Sequence, residues 1–160
     1  MTPPPNHSPA PARLHHVAIA SSDLDRSLRA YRDGLHLTPR YTFAFPGGQA
    51  VILASGPTAE HTCLEIFSRD NAQDLSPEAR LLHLCLAVPD VDALYAHALQ
   101  HGFTVQKEPW TAEHANLAAQ EDSSLPKTFA CRLGFLHGPD GEIVELFCDQ
   151  SRDEAQEPSA

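Results

Sequence analysis

The feature that most constrains this chain is a strand-like segment that occurs twice. Residues 14–20 and 82–88 alternate between two kinds of side chain, and this period of two predicts β-strands. One face of each carries small or polar side chains, and the other carries branched apolar ones. A histidine occupies the same place in both copies, His16 in the first and His83 in the second. We therefore interpret the chain as a tandem duplication.

A helical pattern follows each of these strands. Asp23 and Asp90 lie at the same distance after the two histidines, and each opens a helical pattern; Ser22 or Asp23 suits the N-cap of the first helix. Apolar side chains then recur at helical spacing until a glycine, Gly34 in the first copy and Gly102 in the second. Further strand patterns complete a βαβββ order in each copy. The remaining predicted strands are 39–45, 50–54 and 62–67 in the first unit, and 103–107, 128–137 and 142–147 in the second.

The predicted organisation is an α+β fold of two tandem βαβββ units with short tails. We assign residues 1–12 to a proline-rich tail, 13–68 to unit one, 69–80 to a linker, 81–149 to unit two and 150–160 to an acidic tail. The second unit is longer because of residues 108–127, which we interpret as a loop. Long loops in small domains are often functional. Trp110 and His114 are therefore candidates to close over a substrate.

Composition narrows the possible partners and the compartment. The formal net charge is −10 and no basic cluster is visible, so we expect neither nucleic acid nor an anionic membrane surface as a partner. No apolar run is long enough for a membrane span, and the N-terminus has no signal-peptide core. The four cysteines form no close pair, which favours free thiols in a reducing compartment. We expect a cytoplasmic protein that binds a small molecule.

Two glutamates in apolar strands carry the chemical signal. Glu65 and Glu145 each lie among leucine, isoleucine, valine and phenylalanine, where a carboxylate is costly unless it is paired or binds a metal. Either glutamate alone could simply face water at a sheet edge. The repeat, however, places a histidine and a glutamate at matching positions in both units. If the first and last strands of each unit pair, His16, Glu65, His83 and Glu145 converge on one point, where they would bind a divalent ion.

These segments resemble the vicinal oxygen chelate superfamily. The resemblance covers nearly all of residues 13–149, and its most specific part is the ending G-P-D-G-x-x-x-E-L at residues 138–146. It implies that the two units form an incomplete barrel around a metal site. The matching segments are 16–19, 23–24, 64–66, 83–92 and 138–146.

Within that superfamily, the order His-Glu-His-Glu is similar to glyoxalase I, the lactoylglutathione lyase. The resemblance implies that His16, Glu65, His83 and Glu145 bind nickel, zinc or another divalent ion. The substrate would be a hemithioacetal or a related α-hydroxycarbonyl, and a proton would move through an enediolate that the ion stabilises. Glu145 is the expected base, with Glu65 as the second candidate. Relatives of this type often share their site across a dimer interface, so a homodimer is expected.

Other functions stay open at this point. An extradiol dioxygenase would use His16, His83 and Glu145, but Glu65 would fill a position that oxygen and catechol need. A small-molecule-binding resistance protein would have no metal. Glutathione-binding positions of glyoxalase I do not carry over well, so another thiol, a CoA ester or a small dicarbonyl is an alternative. Arg69 and Lys127 are the candidate substrate-binding cations.

Overall fold

A single eight-stranded sheet organises the chain. The architecture is that of a computed structural model, which describes residues 10–69, 74–76, 78–139 and 141–151. Two α-helices and short 3₁₀ turns accompany the strands. The elements are β1 (Arg13–Ser21), α1 (Leu24–Leu35), β2 (Thr38–Phe45), β3 (Gly48–Ala54), β4 (Thr62–Ser68), β5 (Leu81–Ala87), α2 (Val91–Leu99), β6 (Thr104–Ala115), β7 (Thr128–His137) and β8 (Ile143–Asp149).

The order of the strands confirms the tandem βαβββ fold. The sheet runs β2-β3-β4-β1-β5-β8-β7-β6, so each unit contributes one half. Within the units, β1 pairs in parallel with β4, and β5 pairs in parallel with β8. Antiparallel pairing of β1 with β5 joins the two halves. The first and last strands of both units therefore lie side by side at the centre of a curled sheet, as the sequence predicted.

Each helix covers the outer face of its own half. Asp23 and Asp90 cap α1 and α2, and their side chains accept hydrogen bonds from Arg26 N and Ala93 N. The helix α1 ends one residue beyond the predicted Gly34, because His36 adopts the left-handed conformation (φ 56°) that ends the helix. The apolar residues under α1 include Val51, Leu53 and Ile66, and those under α2 include Leu136, Val144 and Leu146.

The prediction of a loop over residues 108–127 was wrong for its first part. The strand β6 continues to Ala115 and pairs with β7, with register shifts on either side of Lys107. Pro109 is tolerated here because β6 is an edge strand and the pairing is irregular at this point. A short 3₁₀ turn at residues 117–120 follows. Trp110 and His114 are therefore held on a strand and do not belong to a separate lid.

The hydrogen bonds of one asparagine hold the remainder of the connection between β6 and β7 in place. Asn116 is buried, accepts a hydrogen bond from Thr42 N, and donates to the carbonyls of Arg40 and Pro126. It thereby joins the segment after β6 to β2 of the other unit. Among the described residues, neither helix has the length and apolar run that crossing a bilayer requires.

The predicted tails and linker are described only in part. Residues 1–9, 70–73, 77, 140 and 152–160 lie outside the described residues. Of the proline-rich tail, Ala12 packs against the apolar residues under α2. Of the acidic tail, Gln150 N donates to Ala130 O, and the Ser151 hydroxyl accepts from Ala130 N. These two tail residues therefore extend the contact with β7.

Candidate metal centre

The four predicted ligands come from the four central strands. His16 lies on β1, Glu65 on β4, His83 on β5 and Glu145 on β8. The parallel pairing sets Ala18 opposite Glu65 and Cys85 opposite Glu145, so each glutamate lies beside the strand that carries the histidine of its unit. All four residues are at most 9% exposed. The duplication thus brings the four side chains to one buried point on the inner face.

The distances place the four side chains around a common centre. Nε2 of His16 is 3.0 Å from Glu65 Oε2 and 3.6 Å from Glu145 Oε2. Nε2 of His83 is 2.9 Å from Glu145 Oε2 and 3.7 Å from Glu65 Oε2. One ligand atom from each residue lies within 4.8 Å of the others. All four belong to the same chain, so the set is complete without a second subunit.

Unsatisfied polar atoms show that the donor set fits a divalent ion. His16 Nε2, His83 Nε2 and Glu145 Oε2 are buried and make no hydrogen bond, despite their short distances to one another. Buried polar atoms without a partner are costly. Two imidazoles and two carboxylates suit zinc or nickel, and the two negative charges balance a divalent cation. An ion at the shared centre would satisfy all of these atoms.

The electrostatics of the protein without metal are dominated by the same four groups. Burial alone would lower the pKa of His16, but the carboxylates of Glu145 and Glu65 outweigh it and raise that pKa. Burial alone would raise the pKa of Glu145, but the imidazoles of His16 and His83 outweigh it and lower that pKa. Glu145 is therefore held in the charged form that a metal ligand or a base requires.

A neighbouring histidine contacts His16 at the ring nitrogen that faces away from the glutamates. His15 is buried at a register shift of β1 against β5. Its Nδ1 lies 2.8 Å from Nδ1 of His16, and its Nε2 lies 2.9 Å from the Thr62 hydroxyl, which donates to Ala59 O. Burial and His16 lower the pKa of His15 to about 4, so it is neutral. With Nε2 on a metal, His16 would donate its Nδ1 proton to His15, as second-shell partners of ligating histidines do.

A second group of donors shares one residue with the first. His15, His16 and Cys85 also have ligand atoms within 4.8 Å of one another. The nitrogen of His16 that meets His15 is Nδ1, whereas Nε2 faces the glutamates. Burial raises the pKa of the Cys85 thiol well above its usual range, and the nearby carboxylates reinforce this. The other set supplies two carboxylates, whose negative charges balance a divalent cation, so it is the better site for such an ion.

An apolar cavity of about 340 Å³ opens onto the four side chains. Phe147 belongs to its wall, and the period of two along β6 directs Trp110, Ala112 and His114 towards it. Lys107 also lines it. Sequence analysis missed Lys107 and Ala112, although the alternation from Trp110 to His114 was the signal that could have found this wall. The other aromatic residues around the cavity are Phe43, Phe45, Phe67, Phe129 and Phe135.

The structure does not bring the two predicted substrate-binding cations to this cavity. Arg69 follows β4 and is exposed, and its backbone N–H donates to Ser21 O. Lys127 lines a separate hollow with Thr111 and Glu113. Neither residue is among those that line the cavity at the four ligands. A substrate role for Arg69 and Lys127 stays a prediction.

The family follows from a sequence match over most of the chain. Residues 13–146 match the Glyoxalase/Bleomycin resistance protein/Dioxygenase superfamily, which is the vicinal oxygen chelate superfamily. The chain belongs to this superfamily. The match spans all eight strands except the end of the last, and it confirms the resemblance drawn from the sequence. No curated protein matches the chain.

Solved structures share the fold at low sequence identity. A hypothetical protein from Bacillus halodurans is 17% identical, with a TM-score of 0.61 over 89% of this chain and 98% of its own. Methylmalonyl-CoA epimerase from Mycobacterium tuberculosis is 22% identical, with a TM-score of 0.58 over 85% and 87%. A variant of the Streptomyces coelicolor epimerase, in complex with 2-nitronate-propionyl-CoA, is 22% identical, with a TM-score of 0.64 over 87% and 98%. These likenesses show the vicinal oxygen chelate fold.

Proposed function

We propose that this protein is a metal-dependent enzyme of the glyoxalase I type, which moves a proton between carbons next to a carbonyl. The observation that supports this is the complete set His16, Glu65, His83 and Glu145 in the lining of an apolar cavity. Vicinal oxygen chelate proteins commonly use divalent metals, and nickel or zinc suits these donors. The substrate would be a hemithioacetal or a related α-hydroxycarbonyl.

The residues of the chain divide the chemistry between them. His16 and His83 have no proton-transfer role here and would serve as fixed ligands. A bound divalent ion would supply Lewis-acid polarisation of the two substrate oxygens. Glu145, held in its charged form, would take the proton from one carbon and return it to the next, with Glu65 as the symmetric alternative. The aromatic walls would keep water away from the exchanged proton.

The partner classes follow the same reasoning. The substrate is a small molecule, and a glutathione adduct, another thiol adduct and a CoA thioester are the candidates to test. The set of ligands is complete in one chain, so the proposed activity does not depend on a shared site. A homodimer and a cytoplasmic location stay predictions from the sequence.

Turnover by metal-loaded protein tests the proposal. Nickel- or zinc-loaded protein is assayed with methylglyoxal and phenylglyoxal, each combined with glutathione or with 2-mercaptoethanol, and with methylmalonyl-CoA in deuterated water. Product formation or deuterium uptake at the carbon next to the carbonyl is expected. Glu145→Gln should reduce kcat by at least about 100-fold, the usual scale for loss of a general base. Glu60→Gln, at an exposed position, is the matched control.

Two results would contradict the proposal. Absence of both turnover and deuterium uptake with every substrate would contradict the proposed proton transfer. Oxygen consumption with catechols by iron-loaded protein would instead favour the extradiol dioxygenase alternative, in which Glu65 would have to leave the ion.

A further inference from the structure

The side chains around the cavity indicate what kind of substrate it can accept. Each unit supplies one pair of rings: Phe45 and Phe67 lie 5.7 Å apart between their centres, and Trp110 stacks on Phe135 at 5.8 Å. The second pair continues to the metal ligands, because Phe135 meets the ring of His83 edge-on at 5.3 Å. A flat apolar surface therefore lies directly beside the ligand His83.

Polar groups in the same walls are few. Among the described residues that line the cavity, the side chains with polar atoms besides the four ligands are Lys107, Trp110, His114 and Cys131. His114 stacks on Phe43 with its ring, and Cys131 is buried. The exposed Lys107 holds its Nζ 3.6 Å from the centre of the Trp110 ring. This leaves one cation near the aromatic wall.

These few polar side chains do not match the many polar groups of a peptide-like thiol. Glutathione carries two carboxylates, an ammonium group and two amides, and each would need a partner when it leaves water. The cavity is also at the small end of ligand sites. An aryl group attached next to two adjacent oxygens matches it better, because the rings of the wall can stack on the aryl group while the oxygens reach the four ligands.

We propose that the substrate carries an aryl group next to its two vicinal oxygens, as in an arylglyoxal adduct, with any anionic substituent directed to Lys107. This inference rests on the proposed function for the metal and the vicinal oxygens. It adds a preference for aryl over alkyl substituents, and that preference comes from the two ring pairs.

Binding of inert chelators tests the preference without any turnover. Benzohydroxamate and acetohydroxamate present the same two oxygens and differ in the phenyl group. Trp110 is the only tryptophan of the chain and lies in the cavity wall, so its fluorescence reports occupancy. With zinc-loaded protein, benzohydroxamate should bind at least tenfold more tightly than acetohydroxamate and change the Trp110 emission.

Variants locate the preference in the rings. Phe135→Leu and Phe45→Leu should each reduce benzohydroxamate affinity about threefold to tenfold and leave acetohydroxamate affinity within twofold. Phe103→Leu, against the outer cluster under α2, is the matched control. A carboxylate on the ring should improve binding about twofold to fivefold, and Lys107→Met should remove that gain, since exposed ion pairs are weak.

The outcomes separate the two proposals. Equal affinities for the two hydroxamates, or ratios that neither phenylalanine variant changes, would overturn the aryl preference and leave the metal chemistry standing. Failure of both hydroxamates to bind zinc-loaded protein would overturn the vicinal-oxygen site itself, and the aryl inference with it.

Discussion

Adding a divalent ion to the metal-free protein should raise its thermal stability. His16 Nε2, His83 Nε2 and Glu145 Oε2 are buried without hydrogen bonds, so a bound ion would give these atoms a partner in the folded state. The unfolded chain does not hold them together, so the ion binds the folded state. A ligand that binds only the folded state at 100 times its Kd stabilises it by about 2.7 kcal/mol. For a domain of this size, each kcal/mol raises Tm by roughly 2 to 4 °C. The expected rise is therefore about 5 to 11 °C.

Loss of one metal ligand should abolish most of this rise in Tm. Glu145→Gln removes a negative charge and a carboxylate ligand of the ion. If the affinity for the metal falls 100-fold, a metal concentration of 100 times the original Kd is near the Kd of the variant. The stabilisation then falls to about 0.4 kcal/mol, a rise in Tm of less than about 2 °C. Differential scanning calorimetry of tag-free protein, treated with chelator and then titrated with zinc or nickel, measures both values. Glu60→Gln should behave as the unmodified protein.

Two results would refute this reasoning. An unchanged Tm for the unmodified protein at saturating metal would show that the four side chains do not hold an ion. An equal rise in the Glu145→Gln variant would show that the ion binds elsewhere on the chain, for instance at exposed histidines.

Three further perturbations test the surroundings of the site. His15→Phe removes the acceptor for His16 Nδ1 and should lower metal affinity by about tenfold to 100-fold in chelator competition; unchanged affinity would exclude a supporting role. Tyr41→Phe removes a 2.8 Å hydrogen bond to Asp149, at a cost of about 1.5 to 3 kcal/mol in urea unfolding. Burial and Asp149 raise the pKa of Tyr41 to about 12 from 10.0, so the folded state binds that proton more tightly. The free energy of unfolding should therefore fall as pH rises from 10 to 12, and the variant should lose this part of the decline; an identical decline would contradict it. Asn116→Ala leaves partners on β2 and at Pro126 unsatisfied and should cost about 2 to 4 kcal/mol in urea unfolding; a cost under 0.5 kcal/mol would show that water replaces the amide.

The sequence was sufficient for the fold and for the meeting of the four side chains. A repeated strand with a histidine at the same place, and a glutamate in each closing strand, fixes which strands must be neighbours once each unit pairs its first and last strand. His16 and Glu145 are far apart in the chain, yet their positions in the two copies place them at one centre. Periodicity and symmetry carry this information, because strand faces alternate strictly.

Local irregularities account for what the sequence did not predict. Residues 108–127 lengthen the second unit and were therefore interpreted as a loop, but the first part of them continues β6, an edge strand that tolerates Pro109. Lys107 and Ala112 were missed in the cavity wall because the strand was expected to end at residue 107, whereas β6 continues to Ala115. The register of β1 against β5 shifts between Leu14 and His16, which simple alternation does not predict, and His15 lies beside His16 there. Register shifts depend on the partner strand, so the pattern of one strand does not reveal them.

X-ray absorption of the zinc-loaded protein tests the central claim most directly, because it reports the atoms bound to the ion. The account predicts two imidazole nitrogens with carboxylate oxygens at about 2.0 to 2.2 Å and no sulfur. The signal of one imidazole should disappear in His83→Ala. A sulfur at about 2.3 Å, as Cys85 with His15 and His16 would give, or a spectrum that His83→Ala leaves unchanged, would contradict it.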